Sequence, residues 1–120
     1  MPDRPRRDLA ERHLPLSEPV FHILLSLTDR DLHGYAIIQD IRERTAGAVE
    51  LTASTLYAAI KRLLETGLIE EMRRRPSNDD PRRRYYAITP LGLEVARRET
   101  ARLERTLRLA RQKRLAPRRA

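Results

Sequence analysis

Residues 51–72 read LTASTLYAAIKRLLETGLIEEM, and this run restricts the fold more than any other part of the chain. Leu56, Ile60, Leu63 and Leu64 recur at helical spacing and form one apolar stripe. Thr52 is a good N-cap, and Gly67 is suited to the left-handed conformation that ends a helix. The helix is therefore bounded to residues 52–66. Immediately after Gly67 the period changes, and LIEEMRRR (68–75) reads as a strand. A helix that passes into a strand through one glycine leaves few architectures open. Its other face, Ser54, Tyr57, Ala58, Lys61 and Glu65, is small and polar at the start and basic further on.

The flanking segments extend this pattern. Ser17 is an N-cap with Glu18 and Pro19 behind it, and Val20, Ile23, Leu24 and Leu27 give a first helix one apolar face. TDRDLHG (28–34) breaks it. YAIIQDIRERTAG supplies a second helix with Ile37, Ile38 and Ile41 inward, closed by Gly47. AVEL (48–51) has the composition of a short strand. Downstream, RRRYYAI (82–88) reads as a second full strand, joined to 68–75 by the turn formers PSNDDP. Thr89 as N-cap and Pro90 at the first helical position then start a last helix that runs to about residue 113. Leu93, Ala96, Thr100, Leu103, Leu107 and Ala110 follow the 3-4 spacing of a coiled-coil seam. The expected fold is mainly α with a small β-hairpin: a winged helix-turn-helix followed by a long C-terminal dimerisation helix. Residues 1–13 are expected to form a flexible arm, 14–89 the winged helix-turn-helix domain, and 90–120 the dimerisation helix with a frayed basic end.

Charge points to the partner. The net charge is +8, but it is unevenly spread. Residues 14–72 hold five basic and nine acidic side chains, whereas 73–86 hold six Arg against Asp79 and Asp80. Residues 97–120 hold ten basic groups against Glu99 and Glu104. A mildly acidic body with two basic projections suits a polyanion, and duplex nucleic acid is the first candidate. There is no cysteine, which removes disulfides and thiolate metal sites. The polar N-terminus lacks the apolar stretch of a signal peptide. No run approaches the roughly 20 apolar residues of a membrane span. A cytoplasmic protein is expected.

A helix-turn-helix offers the N-terminal part of its second helix to the major groove. Side chains there must be short for the backbone to approach phosphates and base edges. Thr52, Ser54 and Thr55 meet that need, Thr52 doubling as the cap. Tyr57 has a hydroxyl for a phosphate oxygen, and Lys61, one turn on, reaches phosphate or a guanine edge. On the hairpin, Arg73, Arg75, Arg82, Arg83 and Arg84 are candidates for backbone or minor-groove contact. Strand alternation would turn Arg74 away from Arg73 and Arg75 and divide the second triplet likewise, so two to four of the six arginines are expected to touch DNA at once.

HGYAIIQDI (33–41), LTASTLYAAIKRLLETGLIEE (51–71) and RRRYYAITPLG (82–92) together resemble the PadR family of bacterial transcriptional regulators. The resemblance covers residues 14–95, and the short C-terminal region is similar to the compact subfamily with a single dimerisation helix. It implies a homodimeric repressor on a palindromic operator, with Ser54, Thr55, Tyr57 and Lys61 at groove-facing positions. In some relatives aromatic or cationic compounds at the dimer interface release the DNA. Two departures stand out. Ser54 occupies a position where glycine is common, and Ala58-Ala59 replace a frequent Pro-Leu pair. Residues 91–120 also contain no aromatic side chain with which to stack a planar inducer.

Other function classes fit less well. His13, His22 and His33 are the three histidines, without HxH or HExxH spacing. There is no Gly-rich phosphate loop and no GxSxG. Neither an enzyme nor a bound cofactor or metal is expected. A winged helix used for protein interaction or for RNA is the alternative. A protein-docking surface would expose apolar residues where this chain carries small polar and basic ones.

Overall fold

The computed structural model describes residues 9–72 and 80–117. The first arginine triplet, Arg73 to Arg75, and most of the segment after it lie outside the described residues. Four helices and three strands follow in the order α1 (Glu18–Ser26), β1 (Leu32–His33), α2 (Gly34–Arg44), α3 (Ala53–Glu65), β2 (Ile69–Glu71), β3 (Tyr85–Ile88) and α4 (Pro90–Gln112). Three helices and a small antiparallel sheet make a winged helix-turn-helix, and α4 extends from it.

The helix starts follow the capping residues. The Ser17, Thr52 and Thr89 hydroxyls accept the N–H groups of Val20, Thr55 and Gly92. α2 is capped instead by the His33 ring, whose Nδ1 accepts the Ala36 N–H at 3.2 Å. Gly67, at φ +77°, closes α3 as a Schellman turn: the Leu68 N–H reaches the Leu63 carbonyl at 3.0 Å and the Gly67 N–H reaches Leu64 at 3.2 Å. α2 ends with the same pattern shifted by one residue. There Ala46 is the first left-handed residue, at φ +51°, and Gly47 follows, its N–H on the Arg42 carbonyl at 2.8 Å.

The core is where the stripes converge. Ile23, Leu24 and Leu27 of α1, Ile37 and Ile41 of α2, and Leu56, Ile60 and Leu63 of α3 are all buried. Val20, Ile38 and Leu64 are partly buried at its margin. Between α1 and α2, Arg44 binds Asp40 at 3.1 Å and the buried Ser26 hydroxyl at 2.7 Å. Partial burial pushes the Asp40 carboxyl up. Hydrogen bonds from Ser26 and Arg44 and the charges of Arg44 and Arg30 outweigh this and hold it below its ordinary value.

The sheet differs from expectation in two places. The strand expected at 48–51 does not form. The Thr45 hydroxyl takes the Val49 N–H at 3.0 Å, and both neighbours of β3 are already occupied. The order is β1-β3-β2, with Leu32 opposite Tyr86 on one side and Ile69 opposite Ile88 on the other. The third strand thus comes from the break between α1 and α2, where two residues are too few to show any period. The second hairpin strand also starts later than residue 82. The Asp80 carboxylate accepts the Arg82 N–H at 2.9 Å, and the Asp80 carbonyl accepts the Arg83 N–H at 3.0 Å. Arg82 to Arg84 therefore leave a turn and are not part of the ladder, so strand alternation does not apply to them.

Order also begins before Ser17. Residues 9–11 are helical and Ala10 is fully buried. Glu11 pairs with Arg98 at 3.1 Å, which holds this stretch against α4.

Candidate nucleic-acid interface

On α3 the buried stripe leaves the other face to solvent. Ser54, Thr55, Tyr57 and Lys61 are exposed, as is Thr52 at the cap. Thr52 is engaged locally: its hydroxyl accepts the Thr55 N–H at 3.1 Å and donates to the Thr55 hydroxyl at 3.0 Å. Ser54, Tyr57 and Lys61 extend along the helix from that cap.

Tyr57 has a specific seat. Its ring crosses the first residue of α2, Gly34, and a Cβ at Gly34 would overlap the Tyr57 hydroxyl and ring. Half of Tyr57 nevertheless stays exposed (51%). It therefore packs through one edge and presents the rest.

Beside it lies an open cleft of about 360 Å³, lined by His33, Gly34, Tyr35, Tyr57, Tyr86 and the arginines 82–84. The second arginine triplet and Tyr57 of α3 thus meet across one space. Arg82 is held by Asp80 at 3.1 Å and Arg84 by Glu71 at 3.7 Å. These carboxylates relieve part of the repulsion among the arginines and limit where two of them point. Tyr86 forms the inner wall. Burial, then the negative charge of Glu71, raises its phenol above the ordinary value, so it stays protonated. Arg73 and Arg75 lie outside the described residues. Among the described residues, no cluster of three or more His, Asp and Glu gathers for a metal.

The seam residues of α4 divide. Ala96 is buried in the chain's own core beside Val95, and Leu93 is half-buried. Thr100 is exposed, its hydroxyl turned to the Ala96 carbonyl at 2.9 Å. Leu103 and Leu107 remain 42% and 39% exposed, and Ala110 is half-buried. The uncovered apolar positions therefore lie beyond residue 100.

Sequence reasoning missed Tyr35, Gly34 and Glu99. The aromatic hydroxyl in HGY, one residue into a helix, was the available signal for Tyr35. Glu99 gave none, since it sits in a run of charges. It is only 1% exposed; its carboxylate accepts the Leu16 N–H at 2.6 Å and binds Arg102. That hydrogen bond raises the Arg102 guanidinium above its ordinary value.

A model of the transcriptional regulator PadR-like family matches residues 23–98. The chain belongs to this family. A relative, an uncharacterised protein X of Lysinibacillus sphaericus, is 39% identical over 70 residues. That alignment covers 58% of this chain and 63% of the relative, so the chain spans less than two thirds of its length. A PadR family transcription regulator from hypervirulent Clostridium difficile superposes with a TM-score of 0.70 at 25% identity, covering 80% of this chain and 97% of that one. Bacillus subtilis PadR, solved in complex with operator DNA, superposes with a TM-score of 0.59. It is 22% identical and aligns over 69% of this chain and 46% of its own, a likeness of fold alone. No helix among the described residues is long and apolar enough to cross a membrane.

Proposed function

We propose that this PadR-family chain is a sequence-specific, DNA-binding transcriptional regulator that acts as a homodimeric repressor on a palindromic operator. Helix α3 enters the major groove, and the wing, residues 73–86, lies on the flanking backbone or minor groove. One observation carries the reading. Tyr57, on the same helix as the exposed Ser54, Thr55 and Lys61, meets Arg82, Arg83 and Arg84 across a single cleft. Short polar side chains at a helix start suit base edges, and a neighbouring cluster of arginines suits phosphate. The operator complex of Bacillus subtilis PadR supports the same use of the fold. The homodimer rests on Leu103 and Leu107, which the chain itself leaves uncovered. Dimers of this kind match two-fold protein symmetry to operator palindromy.

The test is a gel shift with the region upstream of the protein's own gene. Binding is expected at two chains per inverted repeat and in preference to random duplex. No preference for that fragment over random DNA would overturn the reading.

A further inference from the structure

Tyr35 is one residue into α2 and is 61% exposed, although an aromatic ring gains by burial. Its hydroxyl accepts the Gln39 side-chain N–H at 3.2 Å, one helical turn away. The hydroxyl's own proton is then directed elsewhere, so Tyr35 can act as a donor. The cleft beside it pairs three arginines with phenols and has no carboxylate among its described lining residues. Asp80 and Glu71, which steady Arg82 and Arg84, are outside that lining. Every polar side chain of the described lining except His33 is a phenol or a guanidinium, and the His33 Nδ1 is already occupied by the Ala36 N–H. Such a lining fits a group that only accepts hydrogen bonds and carries negative charge. The open mouth fits a group carried on a chain that runs past.

We propose that the cleft seats one backbone phosphate of the bound duplex and that Tyr35 donates its hydroxyl to it. Tyr57 and the arginines 82–84 close on the same phosphate from α3 and the wing. One phosphate would then fix three elements at once and set the depth of α3 in the groove. Tyr35 is in this sense a positioning residue. The inference rests on the duplex-binding reading above and adds to it a residue and a point on the DNA.

The experiment measures affinity by fluorescence anisotropy on the upstream duplex, with Tyr35→Phe against wild type. Exposure of the ring makes the substitution harmless to folding, which circular dichroism melting checks. Loss of a hydrogen bond to a charged group should weaken binding by about ten- to hundredfold for each subunit of the dimer. Tyr35 is neutral, so the dependence on salt should keep its slope. A merely structural residue would not respond to the second arm, a scan of the duplex with single uncharged methylphosphonates. At one linkage per half-site, methylphosphonate should weaken wild type, and with that linkage replaced in both half-sites together Tyr35→Phe should add little further loss. Equal binding of wild type and Tyr35→Phe would overturn the assignment. So would a full additional loss at every methylphosphonate position. If wild type itself showed no preference for the duplex, the DNA reading would fall first, and the assignment with it.

Discussion

Gly34 is the residue on which the seat of Tyr57 depends. It is buried at the first position of α2, and its missing Cβ is the space that Tyr57 occupies. Flexibility is not the reason for glycine here, because only Gly47 and Gly67 among the four glycines have positive φ. Gly34→Ala should therefore push the half-exposed Tyr57 ring toward solvent, at a stability cost of at most about 1 kcal/mol. It should also weaken duplex binding, because Tyr57 must leave its seat on the cleft. Most of the overpacking disappears when the ring does, leaving only the Leu56 methyl at 3.3 Å. In a Tyr57→Ala background the same change should be neutral, or stabilising by up to about 1 kcal/mol because alanine is the better helix residue. Urea melts of the four proteins in this cycle check the stability part, and anisotropy checks the binding part. An equal cost of Gly34→Ala in both backgrounds would mean that Tyr57 is not the neighbour that matters. Gly92 acts similarly at a different contact. A Cβ there would overlap the Leu68 carbonyl, so it lets α4 start against the junction of α3 and β2. Thr89 secures that start by donating to the Gly67 carbonyl at 2.6 Å while capping the Gly92 N–H.

At the scale of elements, α4 is one helix with two environments. Up to Glu99 it belongs to the domain: Val95 and Ala96 enter the core, and the Glu99 carboxylate is tied to the Leu16 backbone. Beyond Thr100 the apolar side chains have little cover within the chain. Leu103→Asp with Leu107→Asp should therefore yield monomers in light scattering while the domain keeps its melting transition. Persistent dimers would place the interface elsewhere. The same division separates what is legible in the sequence from what is not. Strong periodicity marks α1, α2 and α3 and their inward residues. Capping chemistry marks three of the four helix starts. The heptad spacing of α4 is visible too, but spacing does not distinguish a position that faces a partner from one that faces its own domain, and Ala96 faces its own domain. The two-residue β1 carries no period, so AVEL looks more like a strand than Leu32–His33 does. Pairing opposite Tyr85 and Tyr86 is a tertiary property that local composition does not encode. In the site, Ser54, Thr55, Tyr57 and Lys61 are legible because exposure is the complement of a clear apolar stripe. Tyr35 and Gly34 are not, because their importance lies in what packs beside them from a segment more than 20 residues away.

The whole molecule is extended for its length. Its radius of gyration is 16.1 Å, against about 14 Å for a compact domain of this size, and a 23-residue α4 contributes to the difference. The charge follows the same division, with a mildly acidic domain carrying arginine at the wing and along the distal helix. On the proposed function, base reading and phosphate attraction reside in separate parts, and salt separates them experimentally. Each phosphate neutralised by the protein contributes about −0.9 to the slope of log affinity against log salt. Replacing Arg82, Arg83 and Arg84 with Ala should flatten that slope by about 0.9 for every phosphate no longer neutralised, summed over both subunits of a dimer. The ratio of affinities for operator and random duplex should change little, because the wing's hold on phosphate carries no base information. Ser54→Ala with Thr55→Ala should do the reverse: the slope holds and the ratio falls. Titrations at four or five salt concentrations on both duplexes provide all of these quantities. An unchanged slope in the arginine variant would remove the wing from the interface. A collapse of the ratio in that variant would mean that the arginines read bases, and that the cleft between Tyr57 and the wing faces the groove floor instead of the backbone.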